Sequence, residues 1–386
     1  MKGLVCSAEW SPRKEYEVSE LEKRIKKAKN GNMVFKNPRL ELKDIPEPEV
    51  GPRDVLIKVK ACGICGTDLH FIETDNEGYM EFPGWCRFPI VIGHEISGII
   101  EEKGKMVRGL EVGDRVCSEQ MLWCGECDYC KSGHVAQCRY MEELGVNVNG
   151  GIAEYTTVKG MHCWKINDLE NAYEGDQEKV FAAAATIEPT SVAYKAIFDE
   201  PGGFYPGANV AVYGAGPIGL SAIQIFRTSG AARIICFETI ANRKKLARNM
   251  GADYVFDPTE VSPHSEVMRV TDGEGVDFQL EAAGALDRTM KEMELSMSIG
   301  GKISLVGLGP KNPQLDASRM QFYASQLTGT VGHGGKGIFK NVIRLMAGGK
   351  INTLPCITKK FPLEKAMDAI EEAGKRKGGK IMVIME

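Results

Sequence analysis

The chain has 386 residues, which is more than one hydrophobic core usually holds and favours two domains. Hydrophobic residues make up 43% and charged residues 26% of the chain, and the formal net charge is -4, so we expect neither a nucleic-acid partner nor a membrane partner. The first ten residues lack the apolar core of a secretory signal peptide, and we expect a cytoplasmic location.

Short strand-like segments recur from the amino terminus to about residue 165. Residues 55–61, VLIKVKA, alternate apolar and polar side chains in the manner of a half-buried strand. We therefore expect an antiparallel β-rich domain in this part of the chain. The charged residues 19–30 predict a solvated helical insertion in it.

Three short motifs supply residue types that bind metals: GICGTDLH at 63–70, GHE at 93–95 and IEP at 187–189. Each residue alone has an ordinary explanation, such as a core thiol or a surface carboxylate. Together they offer sulfur, imidazole and carboxylate ligands for a zinc ion with an open position, as in catalytic sites. The candidate ligands are Cys65, His94, Glu95 and Glu188.

Four cysteines lie close together between these motifs, in the spacing C-x2-C-x2-C-x7-C: Cys124, Cys127, Cys130 and Cys138. In a reducing compartment such a cluster favours a metal over disulfides. Four thiolates on short loops can close a tetrahedron, which is typical of structural zinc. An iron–sulfur cluster is an alternative, but there the fourth cysteine follows after three residues with a proline. A nucleic-acid-binding zinc ribbon is less favoured because the loop carries few basic residues.

From residue 209 onward, strand-like segments alternate with helical stretches, which predicts parallel βαβ units. After about residue 336 a helix and short strands are expected to fold back on the first domain. We expect domains at 1–190, 191–335 and 336–386, the first and last forming one unit.

YGAGPIG, residues 213–219, follows a predicted strand and opens a predicted helix, which is the context of the G-x-G-x-x-G dinucleotide fingerprint. Glu238 ends the next predicted strand, where a carboxylate would accept hydrogen bonds from ribose hydroxyls. This favours NAD over NADP, although Arg243 could attract a 2′-phosphate. The residues expected to contact the cofactor phosphates are Gly214, Gly216, Pro217, Ile218 and Gly219.

In their order along nearly the whole chain, these motifs resemble those of the zinc-dependent medium-chain alcohol dehydrogenase family. The resemblance implies an α/β protein with a GroES-like β-rich catalytic domain and a Rossmann domain, which is a doubly wound parallel sheet. It implies two Zn²⁺ per chain, NAD, and a homodimer or homotetramer. Cys65 and His94 would bind the catalytic zinc, with Glu95 as a direct or exchanging ligand.

Glu188 stands where simple alcohol dehydrogenases carry a cysteine and sorbitol-type polyol dehydrogenases carry glutamate. The resemblance therefore implies oxidation of a secondary alcohol of a polyol, cyclitol or sugar to a ketone, and the chain is similar to bacterial cyclitol dehydrogenases. Thr67 and His70 match the proton relay of the family. An L-threonine-type amino-alcohol dehydrogenase and a non-enzymatic NAD-binding sensor remain alternatives.

The chain departs from the family pattern in three places. An insertion lies near residues 10–33, and the segment between Cys65 and His94 is longer. GHGGKG, residues 332–337, stands where sorbitol dehydrogenases usually carry arginine and an aromatic residue. His333 and Lys336 in this loop could bind substrate hydroxyls or cofactor phosphate, or could be incidental polar residues of a glycine-rich loop.

Overall fold

The computed structural model describes residues 1–309 and 313–386, which fold around two large sheets. The amino-terminal part consists of short strands with few helices. Its elements are β1 (Lys2–Trp10), α1 (Glu20–Ile25), β2 (Lys27–Ala28), α2 (Gly31–Val34), β3 (Phe35–Asp44), β4 (Asp54–Gly63), α3 (Gly66–His70), β5 (Cys86–Arg87), β6 (Ile90–Val91), β7 (Glu95–Lys103), β8 (Arg115–Ser118), β9 (Met121–Leu122), α4 (Asp128–Lys131), β10 (Glu142–Glu143), β11 (Tyr155–Lys159) and β12 (Cys163–Lys165).

Helices and parallel strands then alternate. The connecting helices are α5 (Leu169–Ala172), α6 (Gln177–Ala185) and α7 (Ile187–Phe198). The second part contains β13 (Asn209–Tyr213), α8 (Pro217–Thr228), β14 (Arg233–Phe237), α9 (Ala241–Asn249), β15 (Tyr254–Phe256), α10 (Pro263–Val270), β16 (Val276–Glu281), α11 (Leu286–Ser296), β17 (Met297–Leu305), α12 (Ala317–Phe322) and β18 (Gln326–Gly329). The remaining elements are α13 (Ile338–Ala347), β19 (Ile357–Pro362), α14 (Ala366–Gly374) and β20 (Lys380–Ile384), and single 3-10 turns lie at Val135–Gln137, Gly160–His162, Leu354–Cys356 and Leu363–Lys365.

The first large sheet is mostly antiparallel. Its strand order is β12-β8-β7-β4-β20-β19, and β11 also pairs with β4. Strand β4 alternates as its sequence predicts, because Val55, Ile57 and Val59 are buried while Leu56 and Lys58 between them are partly exposed. The expected antiparallel β-rich domain is confirmed.

The second sheet has the order β15-β14-β13-β16-β17-β18, and every pair in it is parallel. Val210 and Val212 of β13 pack into the core formed with α7, α8 and α13. Ala211 and Tyr213 of the same strand pack on the other face with side chains of α10 and α11. Helices therefore cover both faces, and the doubly wound Rossmann domain is confirmed.

After the second sheet the chain returns to the first. Strand β20 pairs antiparallel with β4, where Met382 lies opposite Gly63, and β19 pairs parallel with β20. The domain boundaries at 1–190, 191–335 and 336–386 stay a prediction. In the parts of the chain that the structure describes, no helix combines the length and the apolar character needed to cross a membrane.

The insertion near residues 10–33 interrupts the β1–β3 hairpin and is less solvated than its sequence predicts. Within the predicted helical segment 19–30 the structure has helix only at Glu20–Ile25 (α1), and Glu22 in this helix is 1% exposed. Ser19 caps α1 and donates its hydroxyl to the Glu22 carboxylate, which also accepts hydrogen bonds from the hydroxyl of Tyr16 (2.7 Å) and the N–H of Lys29 (2.9 Å). Glu22 thus anchors the insertion through buried hydrogen bonds. The charge pattern of the sequence does not show that this residue is buried.

This insertion packs against the lengthened segment between Cys65 and His94. Strand β2 pairs antiparallel with β5, and the N–H of Asn32 donates to the carbonyl of Phe82 at 2.8 Å. Arg13 forms an ion pair with Glu77 at 2.9 Å. The two departures from the family pattern therefore form one structural unit, which we call the paired insertion (residues 10–34 and 73–88).

Candidate active site

Three candidate ligands converge because of the register between two strands. Cys65 precedes the first turn of α3, directly after β4, while His94 and Glu95 stand at the start of β7. Strands β4 and β7 pair antiparallel with Gly63 opposite Glu95, which brings the two motifs together. One ligand atom from each of the three residues lies within 4.8 Å of the others.

Asp68 holds the two ligand segments in place. One of its carboxylate oxygens accepts a hydrogen bond from the N–H of Cys65 (2.9 Å), and the other accepts one from the N–H of Gly93 (3.0 Å). The side chain is fully buried. Asp68 was not predicted from the sequence, although an acid three positions after Cys65 is the pattern of a capping box.

The donor set fits a bound zinc ion. Nδ1 of His94 and Oε2 of Glu95 are buried and lack a hydrogen-bond partner in the described chain, which is unusual unless a ligand completes them. Burial opposes protonation of His94, but the neighbouring Cys65, Asp68 and Glu188 raise its pKa well above the ordinary value. Such a surplus of negative charge attracts a cation.

Lys380 was also missed by the sequence analysis. It is buried, its Nζ donates to the carbonyl of Ile64 (2.8 Å), and it forms an ion pair with Glu95. Burial raises the pKa of Glu95 and would lower that of Lys380, but the carboxylate raises the pKa of the lysine. Lys380 thus compensates one charge of the site from the far end of the chain.

Glu188 enters the same cleft from the first turn of α7. Its Oε1 lies 3.1 Å from Nε2 of His333, and the N–H of Gln120 donates to the same nitrogen at 3.1 Å. His333 is fully buried and does not line the cleft, so it lies behind Glu188. Lys336 of the same loop is paired with Asp199. The GHGGKG loop therefore contacts both ends of α7, at Glu188 and at Asp199.

The cleft has a volume of about 420 Å³ and lies between the two sheets. Thr67 lines it, and its Oγ1 is 3.8 Å from the sulfur of Cys65. His70 does not line the cleft, and its Nδ1 lies 3.2 Å from Glu73 at the protein surface. The paired insertion contributes residues 82–84 to the cleft wall, and the Rossmann domain contributes Pro217 and Ile218.

The glycine-rich turn between β13 and α8 forms one side of a neighbouring groove. Gly214 has a φ of 95°, and a Cβ there would stand 2.9 Å from the backbone of Ala283. No atom lies within 4 Å of the position that a Cβ on Gly216 would take, which leaves room for a phosphate. Gly219 packs against the carbonyl of Gly214. The turn therefore fits a dinucleotide.

Glu238 and Arg243 line the same groove. Glu238 is buried, and its two carboxylate oxygens accept hydrogen bonds from the N–H groups of Ala215 (2.8 Å) and Ile240 (2.8 Å). The Nε of Arg243 donates to the carbonyl of Gly378 at 2.8 Å. The hydroxyl of Thr239 is a third donor to Glu238, at 3.4 Å. A carboxylate accepts about four hydrogen bonds, so Glu238 keeps capacity for one from a ribose hydroxyl.

The four-cysteine lobe has the geometry of a single-ion site. Sulfur–sulfur distances are 3.5 Å for Cys127–Cys130, 3.9 Å for Cys127–Cys138 and 4.0 Å for Cys124–Cys130. Four sulfurs bound at ~2.3 Å to one zinc ion would be about 3.8 Å apart. Backbone N–H groups point at the sulfurs, and hydrogen bonding lowers the pKa of Cys127 to about 6. This geometry favours one zinc ion over a cluster in which each thiolate binds a different iron.

Comparisons with known proteins agree with this arrangement. The alcohol dehydrogenase GroES-like domain matches residues 51–168, and the zinc-binding dehydrogenase domain matches residues 217–348. Scyllo-inosose 3-dehydrogenase of Thermotoga maritima is 37% identical over 96% of both chains. L-threonine 3-dehydrogenase of Pyrococcus furiosus is 34% identical over 90% of this chain and 95% of its own.

Solved structures share the whole architecture. A Thermotoga maritima protein assigned as an alcohol dehydrogenase superposes with a TM-score of 0.95 at 35% identity, covering 99% of both chains. The 2R,3R-butanediol dehydrogenase of Bacillus subtilis superposes with a TM-score of 0.77 at 26% identity, also covering 99% of both chains. The chain therefore belongs to the zinc-dependent medium-chain alcohol dehydrogenase family, whose members are oxidoreductases that use zinc and NAD(P).

Proposed function

We propose that the protein oxidises a secondary hydroxyl of a polyol, cyclitol or sugar to a ketone, with reduction of NAD⁺ to NADH and release of a proton. Scyllo-inosose, which the 37% identical relative is named for, is the proposed representative substrate. The observation that carries the proposal is the convergence of Cys65, His94, Glu95 and Glu188 in a cleft that adjoins a dinucleotide groove.

The proposed ligands of the catalytic zinc are Cys65, His94 and Glu188, with Glu95 as a direct or exchanging ligand. Those of the structural zinc are Cys124, Cys127, Cys130 and Cys138. When bound, the catalytic zinc acts as a Lewis acid on the substrate hydroxyl and NAD⁺ accepts the hydride. The carboxylates of Glu95 and Glu188 give the site a harder ligand set than cysteine would, which suits a hydroxylated substrate.

Thr67 is proposed to accept the proton of the substrate hydroxyl, because its own hydroxyl lines the cleft beside Cys65. His70, one turn further along α3, is proposed as the next proton carrier. Its ring lies between the cleft segment and Glu73 at the surface, a position suited to passing a proton to solvent.

The proposed cofactor is NAD rather than NADP. Gly214, Gly216 and Gly219 would hold its pyrophosphate, as argued above from the space they leave. The buried carboxylate of Glu238 favours ribose hydroxyls and would repel a 2′-phosphate. Measuring NADH and NADPH affinity by fluorescence tests this choice, and tighter NADPH binding would contradict it.

The charges of the cleft favour a polyol over threonine. A threonine carboxylate needs a cation, and Lys380 is the cationic side chain among the described residues that line the cleft. It is already paired with Glu95. Competition between scyllo-inosose and L-threonine for the zinc-loaded enzyme tests this, and a higher kcat/KM for threonine would overturn the polyol proposal.

A Cys65→Ser variant separates the enzyme from the sensor alternative. Loss of a zinc-binding thiolate is expected to abolish NADH formation while NADH binding in the groove is retained. Wild-type protein that binds NADH but oxidises no alcohol in a broad polyol panel would favour the sensor.

We further propose a homo-oligomer, a dimer or tetramer. β18 is an edge strand of the parallel sheet, and the nearby Ile299 and Phe322 are 81% and 85% exposed. Size-exclusion chromatography with light scattering tests the oligomer. A cytoplasmic location is proposed because the cysteines of the described residues are all free thiols, as expected in a reducing compartment.

A further inference from the structure

Glu143 is a carboxylate on the cleft wall that none of the roles above uses. It lies on β10, which pairs with β9 with Glu143 opposite Met121, and its side chain is half-buried. Its backbone is fixed on both sides, because its N–H donates to Oδ1 of Asn147 (3.0 Å) and its carbonyl accepts from the N–H of Val146 (3.1 Å). The position of the carboxylate at the cleft is therefore well defined.

One oxygen of this carboxylate is occupied and the other is free. Nε2 of Gln120 donates to Oε2 at 2.9 Å, and Gln120 is itself held by the contact of its N–H with His333. Oε1 has no partner among the described residues and is not sealed from solvent. The pKa of Glu143 is raised overall, because the effect of burial exceeds the opposing effects of Gln120 and of the two nearby histidines, His94 and His333.

The cationic and hydroxyl side chains of the described cleft wall are already engaged. Lys380 is paired with Glu95, and the hydroxyl of Thr330 donates to Glu200 at 3.2 Å. Thr67 is assigned to the reacting hydroxyl. Much of the remaining wall is apolar, including Phe82, Met121, Val192 and Leu308. Beside the amide oxygen of Gln120, Oε1 of Glu143 is therefore a charged acceptor available to a second group of a substrate.

A substrate that fills the cleft removes water from this oxygen. A desolvated carboxylate oxygen without a donor is costly, so a substrate with only one hydroxyl is penalised and one with a second hydroxyl is favoured. We propose that Glu143 is a specificity-determining residue that accepts a hydrogen bond from a substrate hydroxyl other than the one oxidised. This inference rests on the proposed polyol oxidation.

The test compares kcat/KM for a vicinal cyclohexanediol and for cyclohexanol, using zinc-loaded full-length enzyme and NAD⁺. In Glu143→Ala the preference for the diol over the mono-alcohol is expected to fall roughly tenfold or more, mainly through KM of the diol. Glu142→Ala is the matched control, because this neighbour pairs with Lys159 and does not line the cleft. The preference of Glu142→Ala for the diol over the mono-alcohol should stay within about twofold of that of wild type.

Glu143→Gln keeps an acceptor oxygen and should retain a larger part of the preference, while NADH affinity should be unchanged in both Glu143 variants. The inference would be overturned if kcat/KM in Glu143→Ala stayed unchanged for both alcohols, or if it fell by the same factor for both, because the preference for the diol would then be unchanged. If wild-type enzyme oxidised neither alcohol nor any other polyol, the proposed function would fail instead, so the two failures are distinguishable.

Discussion

The two candidate metal sites of this chain are built in opposite ways. The four-cysteine lobe draws all its ligands from 15 consecutive residues (124–138), and two of the four cysteines are partly exposed. The catalytic cleft draws its charged groups from positions 65 to 380 and buries most of them. The geometry of the four-cysteine lobe therefore depends on its own short loops, whereas the geometry of the cleft depends on the packing of the entire fold.

This difference predicts whether a substitution changes the structure only locally or lowers the global free energy of unfolding. Changes in the lobe should stay local, because few contacts tie it to the sheets. Changes in the cleft should lower the global free energy of unfolding, because its groups join strands that are distant in sequence. The following variants test that contrast.

Lys380→Met is expected to have the largest effect, because it leaves the buried Glu95 without its cation. Breaking a buried ion pair costs about 3–5 kcal/mol of unfolding free energy. Urea unfolding of the zinc-free protein measures this loss. In Lys359→Met, which breaks a more exposed pair with Glu372, the loss should stay below about 1 kcal/mol.

Adding Glu95→Gln to Lys380→Met should recover a large part of the lost stability, since the unpaired charge is then removed. If Lys380→Met and Lys359→Met lowered the free energy of unfolding by the same amount, the proposed dependence of the cleft on its buried ion pair would be wrong.

Cys127→Ser is expected to have a smaller global effect, below about 3 kcal/mol. It should lower the zinc content from two ions to one per chain while NADH affinity stays unchanged, because the lobe is separate from the cofactor groove. Metal analysis and NADH fluorescence measure both. His134→Ala, in the same loop, should keep two zinc ions, and loss of both ions from Cys127→Ser would show that the lobe is not independent.

Glu22→Gln is expected to cost about 1.5 kcal/mol, because an amide replaces the charged acceptor that anchors the paired insertion. Burial would raise the pKa of Glu22, but hydrogen bonds from Lys29, Ser19 and Tyr16 lower it to about 2. A lowered folded-state pKa adds stability that is present above the unfolded value, 4.5, and is lost as the pH falls from there towards 2.

The stability difference between wild type and Glu22→Gln should therefore be constant near neutral pH and shrink across that acidic window. Thermal unfolding at several pH values measures it. Glu20→Gln on the exposed side of α1 is the control and should show no such pH dependence. A difference that does not shrink at low pH would argue against the charged form of Glu22 as the anchor.

Arg13→Ala is expected to have the smallest effect on stability, about 0.2–1 kcal/mol, because its partners Asp75 and Glu77 are largely exposed. It joins the two halves of the paired insertion, whose residues 82–84 form part of the cleft wall. KM for the polyol should therefore rise while NADH affinity stays the same. Lys23→Ala, which breaks only a local pair with Glu20, should leave KM unchanged.

Sequence reasoning predicted the parts of the molecule that are encoded locally. The cysteine spacing, the glycine turn and the alternation of strands with helices all lie within short windows, and the sheets have the predicted arrangement. Cys65, His94 and Glu95 were predicted through their motifs, and the register of β4 against β7 is what brings them together.

Residues whose role depends on tertiary contacts were not predictable. Nothing around Lys380 signals a buried cation, because its partner Glu95 lies 285 residues away. Of the two contacts of Asp68, the one with Cys65 is local and the one with Gly93 exists only in the folded chain. Glu143 is positioned by the pairing of β10 with β9, and the two insertions pack together only in the folded chain. The sequence left open whether His333 binds substrate or is an incidental loop residue, and only the folded loop shows its ring beside Glu188.

The pairing of Lys380 with Glu95 also sets an order of events during biosynthesis. A ribosome that adds ~5–20 residues per second needs roughly 15–60 s to travel from one codon to the other. Throughout that interval the nascent first sheet lacks both strand β20 and the ammonium group that neutralises its acid. Translation must therefore pass residue 380 before the electrostatics of the catalytic centre can be completed, and a product terminated between the two residues is expected to be inert.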